Sequence, residues 1–255
     1  MPQSERHRYL TAEIVVMWIA YVLTLLGNAF IEGGRLGGTS SADIAYRVFT
    51  WFTPAGYVFA IWTLIYIAIA VWLVAYTRTA IARPSGFGMT SALFIVSCVL
   101  NVLWLALWHF ELVAVSFIVI LADWFVLAAL YLNVHRTMQT AAGKVPLSIY
   151  AAWITVATLA NMAILVTRAL DGGGPVFGGL STILLTAGVL ALGYVMRRRY
   201  DDIAVPLVFL WALVGVGVHV LGVSAPVSAA VFLLCIAGAV LTFVPIGLMR
   251  KPVHG

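Results

Sequence analysis

The sequence predicts an all-α protein, a polytopic membrane bundle of eight spanning helices, and three observations predict it. First, 64% of the 255 residues are hydrophobic and 9% are charged, against about 25% charged in an ordinary soluble domain. Second, the apolar residues fall into eight runs near the roughly 20 residues that a spanning helix needs. These runs are 13–32, 57–77, 90–108, 112–134, 146–167, 178–197, 203–222 and 227–248. Third, with both termini placed in the cytoplasm, eleven of the fourteen Lys and Arg residues fall on the inner side. Only Arg35, Arg47 and Arg168 fall outside, and a bias of this kind sets orientation. None of the runs alternates as a barrel strand does.

The first run follows Arg6 and Arg8 but is too long for the apolar region of a signal peptide, so it reads as a true helix. The outer connection 33–56 is the one long loop. It opens with GGRLGG, which cannot hold a regular helix. SADIAYRVFTWF follows, a short helical turn capped by Ser41 or Asp43, with Ile44, Val48, Trp51 and Phe52 on one side. Long loops in compact proteins are usually functional or disordered; this one carries too much ring surface to float free, and 33–56 reads as a lid over the outer end of the bundle. The chain then enters the second span through WFTPAGYVFAIWTLIY, six of whose sixteen residues are aromatic.

The third span carries Asn101, Trp104 and Trp108, the fourth carries Asp123, and the fifth carries Trp153 and Asn161. A charge at mid-membrane is a functional hypothesis in its own right, either a proton- or cation-coupling site or a carboxyl held neutral by burial. The loop 169–177, ALDGGGPVF, divides the first five spans from the last three. In the tail, RRRYDD at 197–202 reads as a snorkelling stop signal. His219 reads as a packed interior side chain, and Ala187 and Ala191 as small residues for close helix packing or oligomerisation. The domain reading is thus 1–168 as a five-helix core with lid 33–56, and 178–255 as a three-helix membrane extension.

Several classes are excluded. Cys98 and Cys235 both lie within spans, which argues against a disulfide framework or a Cys metal site. There is no Walker A, HExxH, CxxCH or nucleophile-elbow motif. The net charge of +5 is the topology signal, suited to anionic lipid at the inner leaflet, and calls for no nucleic-acid partner.

Helical spacing groups the remaining residues. Phe59, Trp62 and Tyr66 fall at i, i+3 and i+7, as do Asn101, Trp104 and Trp108, while Trp153, Ala157 and Asn161 fall at i, i+4 and i+8. Each helix has a face with ring surface, and two of the three add an amide. Turned inward, the three faces make a flat-walled apolar slot for a planar ligand. The plainer reading is that these rings and amides glue helices together.

At these residues the sequence resembles the TspO/MBR family of tryptophan-rich sensory proteins, related to the mitochondrial translocator protein. FTPAGYVFAIWTLIY at 52–66 follows the family's proline- and tryptophan-bearing approach to its second helix, with Phe52 and Tyr57 in place of tryptophans and Ala55 in place of a second proline. LNVLW at 100–104 matches L-N-x-x-W, and YAAWITVATLAN at 150–161 keeps Tyr150, Trp153, Ala157 and Asn161 of the fifth-helix motif. The resemblance covers about 13–168, and 178–255 looks like the C-terminal extension of longer, mainly bacterial relatives. It implies an integral protein of the bacterial cytoplasmic membrane, a sensor, receptor or carrier with no obligatory cofactor. The implied ligand is porphyrin, haem or a similar apolar molecule. The implied pocket is lined by Phe52, Pro54, Tyr57, Phe59, Trp62, Tyr66, Asn101, Trp104, Trp153, Ala157 and Asn161, and a homodimer is compatible. Two other functions stand beside it: an ion-coupled transporter using Asp123, and an enzyme that degrades porphyrin under light. His109 and Glu111 fall in the short loop after the third span; His109 is a candidate for haem iron or a propionate, with a solvated loop residue as the simpler reading.

Overall fold

The computed structural model describes residues 3–34, 36–82 and 88–244. Arg35, Arg83, Arg250 and Lys251 of the charge count, and the end of the last apolar run, lie outside these residues. The described chain is helical with no strand among the described residues: α1 (Gln3–Asn28), α2 (Ser41–Tyr46), α3 (Ile61–Ala82), α4 (Met89–His109), α5 (Val113–Thr137), α6 (Ala141–Ala169), α7 (Gly174–Tyr200), α8 (Ala204–Leu221) and α9 (Ala225–Phe243). Among the described residues, eight helices are long and apolar enough to cross a membrane, one for each predicted run. The protein is a polytopic helical membrane bundle.

The chain forms two compact units. The described parts of Met1–Thr50 and Phe59–Gly172 make one, and those of Trp51–Val58 and Gly173–Gly255 make the other.

In the first unit the five spanning helices form a closed ring, in the order α1, α3, α6, α5, α4 and back to α1. Four of the five joints carry a side-chain hydrogen bond. Glu13 on α1 accepts from the Tyr76 hydroxyl of α3 at 2.8 Å. Asn133 Nδ2 on α5 donates to Thr90 Oγ1 of α4 at 2.6 Å. Trp124 Nε1 on α5 donates to Thr155 Oγ1 of α6 at 2.9 Å, and Asn28 Nδ2 on α1 donates to Asn101 Oδ1 of α4 at 2.9 Å. The fifth joint, α3 to α6, is aromatic: Trp153 meets Trp62 of α3 edge-to-face at 6.2 Å, and Phe59 of the turn just before α3 at 5.9 Å. In lipid there is no hydrophobic drive between helices, so packing and such bonds, worth about 0.6 kcal/mol each on average, decide the arrangement. The outward face of α1 (Val15, Ile19, Val22, Leu23, Leu26) stays exposed, as a lipid-facing surface does.

The end of this unit that carries the α1–α3 connection is shaped by local chemistry. Helix α1 widens into a π-turn over Ala29–Gly33, and the Gly34 N–H closes it on Ala29 O and Phe30 O. The glycine-rich segment then turns with Gly37 and Gly38 at positive φ, which glycine adopts without a Cβ penalty. Helix α2 is capped by Ser40, one residue before the expected position. Ser40 is extended and accepts from the Asp43 N–H, while the Asp43 carboxylate accepts from the Ser40 N–H, a reciprocal capping box. Ile44 and Ala45 pack with Trp108, Val113 and Ile164, with Val48 alongside. The expected apolar face of the loop is interrupted, because the helix ends at Tyr46 and residues 51–58 belong to the second unit.

In the second unit α7, α8 and α9 pack on one another. Glycines make the close approaches: a Cβ on Gly217 would lie 2.8 Å from Phe232, one on Gly238 2.7 Å from Leu190, and one on Gly193 3.1 Å from Phe209. Of the alanines singled out from sequence, Ala191 is exposed and Ala187 half-buried. The segment 51–58 docks on α8: the Ala55 N–H donates to Gly215 O at 3.0 Å, Trp211 Nε1 donates to Val58 O at 3.2 Å, and the Tyr57 ring meets Trp211 edge-on at 5.4 Å. RRRYDD is more than a stop signal. Arg197 pairs with Asp201 and donates through Nε to Thr242 O of α9, and Asp202 caps α8 by accepting from the Ala204 N–H.

Candidate functional site

The first unit encloses a cavity of about 440 Å³ between α1, α3 and α4. That lies within the range typical of small-molecule sites, about 300–1,000 Å³. Its wall is built from Phe59 of the 3-10 turn before α3, Trp62 and Tyr66 of α3, Asn101, Trp104 and Leu105 of α4, Leu25 and Asn28 of α1, and Ala29 and Glu32 of the π-turn that follows α1, with Ser41 of α2 at the rim. Helical spacing brings Trp62 and Tyr66 to one side of α3, and Asn101 and Trp104 to one side of α4. Trp62 is the hub. It stacks on Tyr66 at 5.7 Å and on Trp104 at 6.1 Å, with interplanar angles of 25° and 29°. It also meets Tyr150 edge-on at 6.3 Å. A second, small void of about 20 Å³ lies beside it, bounded among others by Trp62, Cys98, Asn101 and Tyr150.

Three polar groups in the wall lack a partner. Asn28 and Asn101 are 3% and 1% exposed and bond to each other once, which leaves Asn28 Oδ1 and Asn101 Nδ2 unsatisfied. Trp104 Nε1 is buried and unsatisfied as well. Leaving buried polar groups unmade costs about 1–3 kcal/mol each, and these two donors and one acceptor belong to residues of the cavity wall.

At the end of the cavity nearest the α1–α3 connection sits Glu32, carried on the π-turn, a distortion that recurs at functional sites. Its carboxylate accepts from the Ser41 N–H at 3.1 Å and from the Ser41 hydroxyl at 2.5 Å, and so ties α2 to the end of α1. Trp108 Nε1 donates to the Ser41 carbonyl at 3.3 Å from α4. His109 is the last residue of α4 and its side chain is fully buried, in contrast to the solvated loop position expected for it. Its Nδ1 donates to Leu105 O at 3.0 Å, and its Nε2 lies 3.4 Å from the Glu32 carboxylate. Glu111 has positive φ in the tight α4–α5 turn and pairs with Arg47.

Of the residues named from sequence, the cavity gathers Phe59, Trp62, Tyr66, Asn101 and Trp104. Trp153 stands behind them, in ring contact with Phe59 and Trp62. Asn161 is spent on the α5–α6 joint, where its Nδ2 donates to Ser116 Oγ at 2.9 Å, and Ala157 is half-buried on the same helix. Phe52, Pro54 and Tyr57 belong to the second unit. Sequence reasoning missed Glu32 and Ser41 and left α1 out of the pocket. The signal for α1 was present in Asn28, an amide inside an apolar run.

Asp123 lies at mid-span on α5, 1% exposed, with no hydrogen bond of normal geometry to either oxygen. The hydroxyls of Ser97 and Tyr150, themselves 3.3 Å apart, face it. Among the described residues no group of three His, Cys, Asp or Glu side chains is placed to hold a metal ion.

A ring of five spanning helices around an aromatic cavity, joined in sequence to three more spans, defines a polytopic membrane protein with an intramembrane ligand-sized site. A family model described as TSPO-like protein matches residues 14–248, and the chain belongs to that family. The match runs through both units and so extends past the 13–168 resemblance into the last three spans. No curated protein and no solved structure matches the chain.

Proposed function

We propose that the protein is a membrane sensor or carrier that binds a planar, largely apolar ligand, a tetrapyrrole or a molecule of similar outline, in the α1–α3–α4 cavity. The observation that carries this reading is the stacked Trp62–Tyr66–Trp104 surface facing a cavity whose amide and indole groups are left without partners. A π-face of this kind favours flat rings. Porphyrin and haem serve here as ligands, with no cofactor required. The last three spans support the structure without forming this cavity, and both termini face the cytoplasm of a bacterial cell.

The test is a titration of purified protein with octaethylporphyrin, read by tryptophan quenching. Saturable one-to-one quenching is expected. Trp62→Ala removes stacking worth ~1–3 kcal/mol per ring in nucleic-acid complexes, which weakens binding about 5–150-fold. Trp124→Ala, on α5 and outside the cavity wall, leaves affinity within a factor of about two. Equal losses in the two folded variants would overturn the reading. The same titration under light separates binding from turnover, since product formation that requires light, the protein and Trp62 or Trp153 would make the protein an enzyme.

Asp123 favours one second reading, an ion-coupled carrier. A buried carboxyl, faced by the Ser97 and Tyr150 hydroxyls, lies beside a tyrosine whose ring meets Trp62 at the cavity wall. Uptake that requires a proton gradient in the native protein, and loses that requirement in Asp123→Asn, would favour it.

A further inference from the structure

We propose that the cavity selects its ligand by charge: it takes a flat aromatic molecule whose polar end is cationic, and Glu32 at the outer end is the group that selects. This rests on the ligand-binding reading of the same cavity and narrows it. Glu32 is the one carboxylate among the described residues of the wall, and no Lys, Arg or His side chain lines it. Among the described residues, Arg47 is paired with Glu111, and His109 Nε2 lies 3.4 Å from the Glu32 carboxylate. The side chain of Glu32 is 43% exposed, so it is reachable. Three of its contacts are with Ser41, whose N–H reaches both oxygens and whose hydroxyl reaches one, and two carboxylate oxygens can accept about four hydrogen bonds, so capacity remains for a ligand N–H.

The rings beside it act in the same sense. Phe59 and Trp62 line the cavity, and an aromatic π-face attracts a cation and repels a carboxylate. Deeper in the cavity Asn28 and Asn101 present one acceptor and one donor. Flipping both amides would again leave one of each, so the pattern does not depend on the assigned orientation. Trp104 Nε1 adds a donor. The site therefore reads a ligand with an ammonium-type group at the outer end, a flat apolar body, and a neutral acceptor at the amide end. The carboxylates of haem or another acidic porphyrin would have to face away from the Glu32 end.

The test uses three probes that share one ring system: 1-pyrenemethylamine, 1-methylpyrene and 1-pyrenecarboxylate, titrated into protein in nanodiscs of zwitterionic lipid. An attraction and a repulsion at a partly exposed carboxylate, each worth up to ~1 kcal/mol, give roughly a 10-fold preference for the amine over the acid, with 1-methylpyrene between. Glu32→Gln brings that ratio close to one without abolishing 1-methylpyrene binding. Ser41→Ala removes the 2.5 Å bond to Glu32 but keeps the charge, and so keeps the preference. In the native protein the ratio also falls when ionic strength rises from about 0.01 to 1 M, as the Debye length shrinks from about 30 to 3 Å. This needs no variant and holds the test open if Glu32→Gln fails to fold. Equal binding of amine and acid, or an unchanged preference in folded Glu32→Gln, overturns the charge inference and leaves the cavity reading standing. Failure of all three probes to bind overturns the cavity reading itself.

Discussion

The Asn28–Asn101 pair is where α1 is fastened to α4, and replacing one partner should cost more than replacing both. The two side chains are almost fully buried and share a single 2.9 Å bond. Asn101→Leu leaves both polar atoms of the Asn28 amide unpartnered, and Asn28→Leu does the same to Asn101. An abandoned buried amide costs about 1–3 kcal/mol, while measured interhelical bonds in membranes reach only ~1.7 kcal/mol at most. Each single variant should therefore lose about 1–2 kcal/mol. The double Leu variant leaves no orphan and should fall within ~0.5 kcal/mol of the native protein, which makes the two changes strongly non-additive. The assay is unfolding in mixed micelles, followed by near-ultraviolet circular dichroism as denaturing detergent is added. Costs that add, to within ~0.5 kcal/mol, would show that the two amides do not act as a pair, and would remove the physical basis for the joint and for the cavity wall it forms.

Gly215→Ala should detach the 54–58 segment from α8, because the new Cβ would sit 2.2 Å from Val58 Cγ2 and beside Pro54. Overpacking of this kind costs about 1–3 kcal/mol, and faster hydrogen exchange at the Ala55 amide, now bonded to Gly215 O, reports it. Ser40→Ala should remove the cap of α2 and about 1 kcal/mol of local stability, read as faster exchange over 41–46 with the spanning helices unchanged. Unaltered exchange in either variant would show that the contact concerned does not hold its segment.

The span pattern was legible because the bilayer sets helix length, and eight runs of the right length leave no other arrangement of the backbone. The ring faces on α3 and α4 were legible for a similar reason: helical spacing puts Trp62 beside Tyr66, and Asn101 beside Trp104, whatever the tertiary structure. Partners across helices were not. Asn161 has the same spacing credentials as Asn101, yet it faces Ser116 on α5, and nothing within α6 tells the two cases apart. Glu32 was hidden because it sits where an apolar run gives way to glycines, a position that reads as the end of a helix. The π-turn that carries it into the cavity wall has no sequence signature. Residues 51–58 were read as continuous with the second span, as their aromatic character suggests, while their backbone bonds go to α8.

The cavity as a ligand site is tested most directly by photolabelling with 1-azidopyrene, followed by mass-spectrometric mapping of the adducts and competition with 1-methylpyrene. The account predicts competable adducts on peptides that carry Asn28–Glu32, Phe59–Tyr66 and Asn101–Leu105. Competable adducts confined to α7–α9, or adducts that spread over the exposed residues Val15, Ile19 and Leu23 and resist competition, would contradict it.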